Sequence, residues 1–318
     1  MKRDIYTKAR LNSGITLIEL LVVVAILGLL GVAVLPALTG NRENQSNRAA
    51  AQQVSGLLNQ SRNEAIAVGR PGGMTVLSNE LDIARCRVPP PYQGDVSPTQ
   101  LVFSSLGAAL TVGAGSVTNI VNAGVAVGDQ VRFIGSGIVY SVSAIASPSF
   151  RILPIGPAST TPLPPTGVPM AFQIERQPRI VGSTSTLPSG AAIDMAWSGY
   201  GSFGGYTQFT AGDQVSIVFD ATGVLKTLVI NGIRTIPDGT VFLLVGRSDR
   251  RSNLYNAAAG PSAVDDTIGA NWQYPTSYWV AIDPASGQTR LAECQPSVGN
   301  DVEASQQWAR EAMTAIGL

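Results

Sequence analysis

Few side chains in this sequence are suited to catalysis. The 318 residues include no histidine, which removes the commonest general base, the Ser-His and Cys-His pairs and every imidazole metal ligand. Residues 199–204 have the form G-x-G-x-x-G, but the helical pattern that a nucleotide-binding motif requires does not follow them. We therefore expect no enzymatic activity, no catalytic residue, no metal site and no cofactor.

One carboxylate lies where its charge is unfavourable. Glu19 is the single charged residue in the segment 15–38, ITLIELLVVVAILGLLGVAVLPAL. A helix of these 24 residues, at about 1.5 Å per residue, is long enough to cross the hydrocarbon core of a bilayer. Four basic residues and one acidic residue precede it, and this excess of positive charge favours a cytoplasmic N-terminus. The sequence predicts one transmembrane helix at 15–38, with the rest of the chain outside the cytoplasm.

The small residues that flank this apolar segment are on its N-terminal side. An ordinary secretory signal has an A-x-A cleavage site after the apolar run; residues 35–40 offer none, whereas Ser13 and Gly14 directly precede Ile15. The stretch from Ser13 onwards resembles the signal of type IV prepilins and type II secretion pseudopilins, with isoleucine where that family usually has phenylalanine. The resemblance implies that prepilin peptidase cuts after Gly14, discards the leader 1–14 and methylates Ile15.

The same resemblance gives Glu19 and Pro36 roles in assembly. A carboxylate at the bilayer centre costs about 2.5 to 3.5 kcal/mol on insertion scales, so it requires a partner. In the family, the matching glutamate is thought to attract the N-terminal amine of a neighbouring subunit. Such a pair fixes register more than it adds stability. Pro36 matches a proline position of the family, where the missing hydrogen bond favours a kink or local melting of the helix.

The helical pattern continues beyond the apolar segment and becomes amphipathic. Apolar residues recur on one face between residues 41 and 68, and Gly69, Arg70 and Pro71 then end the helix. We expect residues 39–70 to be an amphipathic continuation of the same helix, with its apolar stripe covered by a globular domain.

Residues 71–318 are typical of a β-rich domain. Two segments predict hairpins, 215–230 with a turn at 220–223 and 278–294 with a turn at 283–287. Residues 61–71, with the pattern R-x-E-A-I…R-P, and residues 187–194, LPSGAAID, resemble the GspH/FimT group of minor pseudopilins. The resemblance implies an α+β fold in which the long helix packs on a β-sandwich. Residues 89–176 and 247–275 match no pattern of that group, and we interpret them as insertions, the first of them a β-rich subdomain.

Two features of these regions concern ligands and cross-links. Cys86 and Cys294 both lie beyond the membrane segment, where an oxidising compartment permits a disulfide. We expect a Cys86–Cys294 bond, the alternative being two buried free thiols. Several side chains between residues 249 and 266 have oxygen atoms of the kind that bind calcium, so a calcium-binding loop is an alternative. Their spacing is not that of an EF-hand, however, and favours a solvated loop.

Overall charge argues against a polyanionic partner. The chain has 21 basic and 21 acidic residues, and removal of residues 1–14 leaves 17 and 20, so nucleic-acid binding is disfavoured. We expect a structural minor pseudopilin or pilin of the inner membrane, with its C-terminal domain in the periplasm and no enzymatic role. Its partners would be other pilin or pseudopilin subunits, prepilin peptidase and the inner-membrane assembly platform. The alternative is a pilus-associated binding module for DNA uptake or adhesion.

Overall fold

The computed structural model describes most of the chain. The described residues are 17–94, 99–104, 107–112, 116–117, 124–146, 149–155, 164–265, 267–295 and 299–314, and in 29–43, 99–100, 107–112 and 116–117 only the backbone is described. The chain divides into two compact units, 1–45 and 46–318. The leader 1–14 lies outside the described residues.

One long helix, α1, begins the described chain. It runs over Leu17–Val68, 52 residues, and thus includes the described part of both segments predicted to be helical, 15–38 and 39–70. It ends because Gly69 has a φ of 65°, a left-handed conformation that glycine adopts without strain, and Pro71 follows. Within the residues described above, no helix meets both the length and the hydrophobicity that a bilayer-spanning segment requires.

The first sheet of the domain is antiparallel and contains seven strands. Their order is β11-β2-β1-β16-β17-β18, and β12 also pairs with β2. The strands are β1 Gly72–Val76, β2 Asp82–Arg87, β11 Arg179–Ile180, β12 Ser185–Thr186, β16 Val215–Phe219, β17 Leu225–Ile230 and β18 Ile233–Thr235. The predicted hairpin at 215–230 is confirmed as β16 and β17, which pair antiparallel around the turn at 220–223.

The second sheet is built around the strand Val241–Arg247, β19, which is buried except at its last residue. The strand order is β15-β14-β19-β20-β21, and β13 also pairs with β19. The strands are β13 Ala191–Ile193, β14 Gly199–Tyr200, β15 Thr207–Gln208, β19 Val241–Arg247, β20 Tyr278–Ile282 and β21 Thr289–Glu293. The predicted hairpin at 278–294 is confirmed as β20 and β21.

Both sheets and α1 contribute to one hydrophobic core. Residues of β1, β2 and β16 pack there with alternate residues of β19 and β20 and with one stripe of α1; examples are Met74, Ile217, Leu243, Val280 and Leu58, all fully buried. The remaining residues of β19 and β20 face a second cluster with Trp272 and the C-terminal helices. The helices at this cluster are the 3₁₀ turn Asn271–Gln273, α2 Val302–Ser305 and α3 Gln307–Thr314, and a further 3₁₀ turn, Ser248–Arg250, follows β19. The second sheet is therefore covered on both faces, as the apolar composition of β19 requires.

A third sheet lies within the range predicted as the first insertion, 89–176. Its order is β10-β6-β7-β8-β4-β3-β9, with β5 beside β4. The strands are β3 Thr99–Ser104, β4 Gly107–Val112, β5 Ser116–Val117, β6 Gln130–Phe133, β7 Val139–Ala146, β8 Ser149–Pro154, β9 Pro169–Met170 and β10 Phe172–Glu175. Only Ala171 separates β9 from β10, yet these strands occupy opposite edges, so the sheet closes on itself. Its interior is a separate core that includes Val131, Phe150 and Phe172.

Candidate assembly site

The N-terminal part of α1 exposes its apolar side chains all round. Every residue of 17–28 is exposed, and nine large apolar side chains there are 49% to 82% exposed. These are Leu17, Ile18, Leu20, Leu21, Val22, Val23, Val24, Ile26 and Leu27. A helix that is apolar on all sides is normally buried in lipid or among other helices. A stable cover for this segment therefore requires lipid or another chain.

Glu19 is the carboxylate in this apolar part of the helix. It lies in the first described turn of α1 and is exposed. Gly14 and Ile15, the predicted processing site, lie outside the described residues, so cleavage and methylation there remain predictions. Pro36 lies within α1, and the helical backbone continues beyond it. The described chain therefore supplies one half of the predicted charge pair, the carboxylate.

Arg62 joins the C-terminal part of α1 to a turn of the first sheet, and a turn of the second sheet lies beside it. Its Nε donates a hydrogen bond to the carbonyl oxygen of Gly223 at 3.0 Å. Gly287, in the turn between β20 and β21, has a φ of 66°, and a Cβ placed on it would lie 1.9 Å from the Gly223 oxygen and 3.0 Å from Arg62 Nε. Only glycine fits at this position. One turn from each sheet thus meets the helix at Arg62.

Glu64 joins the same part of α1 to β2. Its Oε2 lies 3.3 Å from Arg85 Nη1, and its Oε1 pairs with Arg87 Nη2. The hydrogen bond from Arg87 lowers the pKa of Glu64, and the charges of Arg87 and Arg85 act in the same direction against partial burial. Arg62 and Glu64 belong to the R-x-E-A-I pattern of 61–71, so that pattern coincides with the junction between the helix and the sheets.

Asp194, the last residue of the pattern at 187–194, connects three segments of the domain. It is fully buried. Its Oδ2 accepts a hydrogen bond from Asn271 Nδ2 at 2.9 Å and its Oδ1 accepts one from the Ser252 N–H at 3.2 Å. Burial raises the pKa of Asp194 to about 6, although the Asn271 and Ser252 hydrogen bonds oppose this change. This role could not be predicted from the sequence, because Asn271 and Ser252 are distant along the chain.

The structure corrects the predicted Cys86–Cys294 disulfide, since both thiols are free and buried. Along β2, Ile83 packs in the shared core, so Cys86, three residues on, lies on the opposite face of the first sheet. Cys294 packs with Trp272 and Trp279 on the far face of the second sheet. The shared core and both sheets separate the two sulfur atoms.

Burial also makes both thiols unreactive. It raises the pKa of Cys86 to about 11, even though hydrogen bonds with Thr75 and Gly73 lower it, and it raises the pKa of Cys294 still further above the ordinary range. Reactive cysteines have depressed pKa values and partial exposure. Neither cysteine has these properties.

The carboxylates of the second predicted insertion, 247–275, are engaged by their own chain. Asp249 Oδ1 accepts a hydrogen bond from Arg247 Nε at 2.9 Å, and Asp265 Oδ1 accepts one from the Thr267 hydroxyl at 2.6 Å. Asp266 lies outside the described residues. In the part of the chain that the structure describes, no three side chains of the His, Cys, Asp and Glu types lie close enough to share a metal ion.

Comparison with known proteins concerns the N-terminal segment. Residues 9–35 match the family model of the prokaryotic N-terminal methylation motif, and they include Gly14, Ile15 and Glu19. No curated protein and no solved structure matches the chain. The motif implies processing by prepilin peptidase and assembly with other pilin subunits. The match therefore supports a type IV pilin-like subunit.

Proposed function

We propose that this chain is a minor pseudopilin or pilin of the GspH/FimT group, with a structural role and no enzymatic activity. Cleavage after Gly14 and methylation of Ile15 release a mature chain that begins with the apolar helix. Residues 15–38 anchor that chain in the inner membrane before assembly, and residues 71–318 form its periplasmic domain. The subunit then joins a type II secretion pseudopilus or a type IV pilus.

The exposure of residues 17–28 is the observation that carries this proposal. Nine large apolar side chains within one matched motif are about half exposed or more, which a water-soluble protein rarely tolerates. A bilayer covers such a helix before assembly, and packed helices of neighbouring subunits cover it afterwards. Glu19 fits the same scheme, because an amine created at Ile15 of a neighbour would neutralise its charge.

The assignment to the GspH/FimT group draws support from the domain. Arg62 and Glu64 attach α1 to the first sheet through the contacts described above. Asp194, directly after β13, accepts hydrogen bonds from Ser252 and from Asn271, which begins the second 3₁₀ turn. Both sequence patterns that resemble this group therefore occupy structural junctions of the domain.

N-terminal mass spectrometry on protein from its native membrane tests the proposal. We expect a chain that begins at methylated Ile15. The variant Gly14→Leu should retain Met1 and its leader, because it blocks the cleavage site, and Ser13→Ala is the matched control that should still be cut. A wild-type chain that starts at Met1, or beyond Thr39, would overturn the proposal.

A further inference from the structure

A cavity of about 290 Å³ lies at the C-terminal end of α1, within the unit 46–318. Its walls come from the last turns of α1, the start of β1, the end of β2 with residues 88–90 that follow it, and Arg179 and Val181 at β11. Much of the wall is apolar, with Ala65, Val68, Val88 and Val181 among the lining residues. The mechanism of assembly through residues 17–28 leaves this cavity unused.

Positive charge predominates around the cavity. The lining residues include three arginines, Arg70, Arg87 and Arg179, and one acid, Glu64. Glu64 is already paired with Arg87 and with the nearby Arg85, and Arg179 donates a hydrogen bond to the carbonyl oxygen of Gly124. Arg70 is exposed, and no carboxylate of the described chain forms an ion pair with it. The cavity therefore has excess positive charge in a chain whose formal net charge is zero.

A buried hydroxyl in the cavity wall also has no partner. Ser61 lines the cavity and is 3% exposed, yet its Oγ forms no hydrogen bond with any described residue. A buried polar atom without a partner costs roughly 1 to 3 kcal/mol, so native proteins usually satisfy such a group. A ligand with a hydrogen-bond acceptor would satisfy this one.

We propose that the cavity binds a carboxylate-bearing segment of a partner protein. An apolar side chain of that segment occupies the cavity between Val68 and Val88, and an adjacent Asp or Glu side chain pairs with Arg70. Guanidinium groups pair strongly with carboxylates, and the apolar walls favour a peptide over a bare anion. The proposal goes beyond assembly through α1 and does not depend on Glu19.

Two peptide pools test this proposal on the full chain in a nonionic detergent. One contains blocked pentapeptides with a central glutamate, and the other has glutamine at the same position; in both, the flanking residues are drawn from Ala, Leu, Val, Phe and Ser. We expect the wild-type chain to retain the glutamate pool at least about tenfold better than the glutamine pool, because only the glutamate peptides can form the ion pair.

Three variants locate the binding. Arg70→Gln should remove the preference for glutamate, while Arg290→Gln, which removes an exposed arginine of β21 away from the cavity lining, should retain it. Val68→Trp fills the cavity from a residue that is 51% exposed, so it should abolish retention of both pools without damage to the core. Circular dichroism and the unfolding midpoint check that each variant is folded.

Four outcomes of the peptide experiments would overturn the proposal. They are equal retention of both pools, no retention of either, unchanged binding by Val68→Trp, and full displacement of the peptides by sodium sulfate at the peptide concentration. The last result would indicate a site for simple anions. A single-stranded oligonucleotide that binds more tightly than the glutamate pool would likewise contradict a protein segment as the ligand.

Discussion

Two parts of one helix show opposite relations between hydrophobicity and burial. Residues 17–28 are almost entirely apolar and all exposed, whereas in residues 46–68 polar residues are frequent and the apolar stripe, with Ala50, Val54 and Leu58, is fully buried. The amphipathic part finds its cover in its own chain, because α1 shares a core with both sheets. For the apolar part, the cover we propose is lipid or another subunit. Both parts are helical, so the degree of apolar character, rather than helix formation itself, separates the segment proposed for assembly from the segment that packs in the domain.

A matched pair of leucines provides the most sensitive test of this comparison. Leu58 is fully buried and Leu21 is 62% exposed, so the same change to alanine should have different effects. We expect Leu58→Ala to lower the free energy of unfolding of the domain by about 2 to 5 kcal/mol, through loss of buried area and creation of a cavity. Leu21→Ala should change it by less than about 0.5 kcal/mol. Urea denaturation of both variants in detergent, followed by tryptophan fluorescence, measures the two values.

Incorporation into the filament is the second measurement on the same two variants. Leu21→Ala should reduce incorporation, although it leaves the free energy of unfolding of the domain nearly unchanged. Equal losses of unfolding free energy for Leu21→Ala and Leu58→Ala would show that residues 17–28 are part of the domain core, and the comparison would fail.

The exposed and buried regions also differ in the surroundings of their carboxylates: Glu19 is exposed, whereas Asp194 is buried. Asp194 is enclosed by its own chain, and burial raises its pKa from the ordinary 3.8 to about 6. Its ionisation therefore opposes folding: the stability it contributes is fully present below pH 3.8 and is lost as the pH rises through about 6. The loss should amount to about 3 kcal/mol at most.

Comparison with Asp194→Asn isolates this effect from other titrating groups. The difference in unfolding free energy between wild type and variant should shift against the wild type from pH 4 to pH 7. Urea denaturation at four pH values in that interval provides the measurement. A difference that does not change with pH, or that shifts in favour of the wild type, contradicts the raised pKa.

Local features of the fold could be predicted from the sequence. The turn at 220–223 is one example, because Asp220 Oδ1 accepts hydrogen bonds from the N–H groups of Thr222 and Val224 and Gly223 has a φ of 83°. All the determinants of that turn lie within five residues. The end of α1 at Gly69 is another feature of this kind.

Features that depend on which faces meet could not be predicted. Alternation along β2 shows that Ile83 and Cys86 lie on opposite faces, but no local pattern tells which face meets the core, and the disulfide prediction was wrong for that reason. Closure of the third sheet depends on β9 and β10 reaching opposite edges, which is likewise a tertiary property. The buried contacts of Asp194 span 58 and 77 residues, and the charge pattern does not reveal them.

Glu19→Gln tests whether the exposed part of α1 uses its carboxylate for register. Glutamine keeps the size of the side chain and removes its charge, so attraction to a neighbouring N-terminal amine is lost. We expect incorporation into the filament to fall about tenfold, equivalent to about 1.4 kcal/mol, with no change in unfolding of the domain. Quantitative immunoblotting of sheared filaments and of membranes gives the incorporated fraction. Asp301→Asn, a charge loss at the N-cap of α2, is the control, and normal incorporation of Glu19→Gln would remove the registry role.

The smallest expected effect concerns the contact that binds the buried part of α1 to β2. Glu64→Gln removes the charge that faces Arg85 and Arg87, whose side chains are 41% and 53% exposed, so solvent screens much of the attraction. We expect a loss of about 0.5 to 1 kcal/mol in the free energy of unfolding at low salt, and less in 1 M NaCl, where the Debye length is about 3 Å. Because the arginines lower the pKa of Glu64, its contribution is present near neutral pH and is lost as the pH falls through that lowered pKa. The wild-type and variant chains should therefore become equally stable in acid.

The control is Glu311→Gln, which removes an exposed acid on α3 and should match the stability of the wild type throughout. If the loss of stability in Glu64→Gln persists unchanged in high salt and in acid, then packing, rather than charge, holds α1 to the sheet at this point.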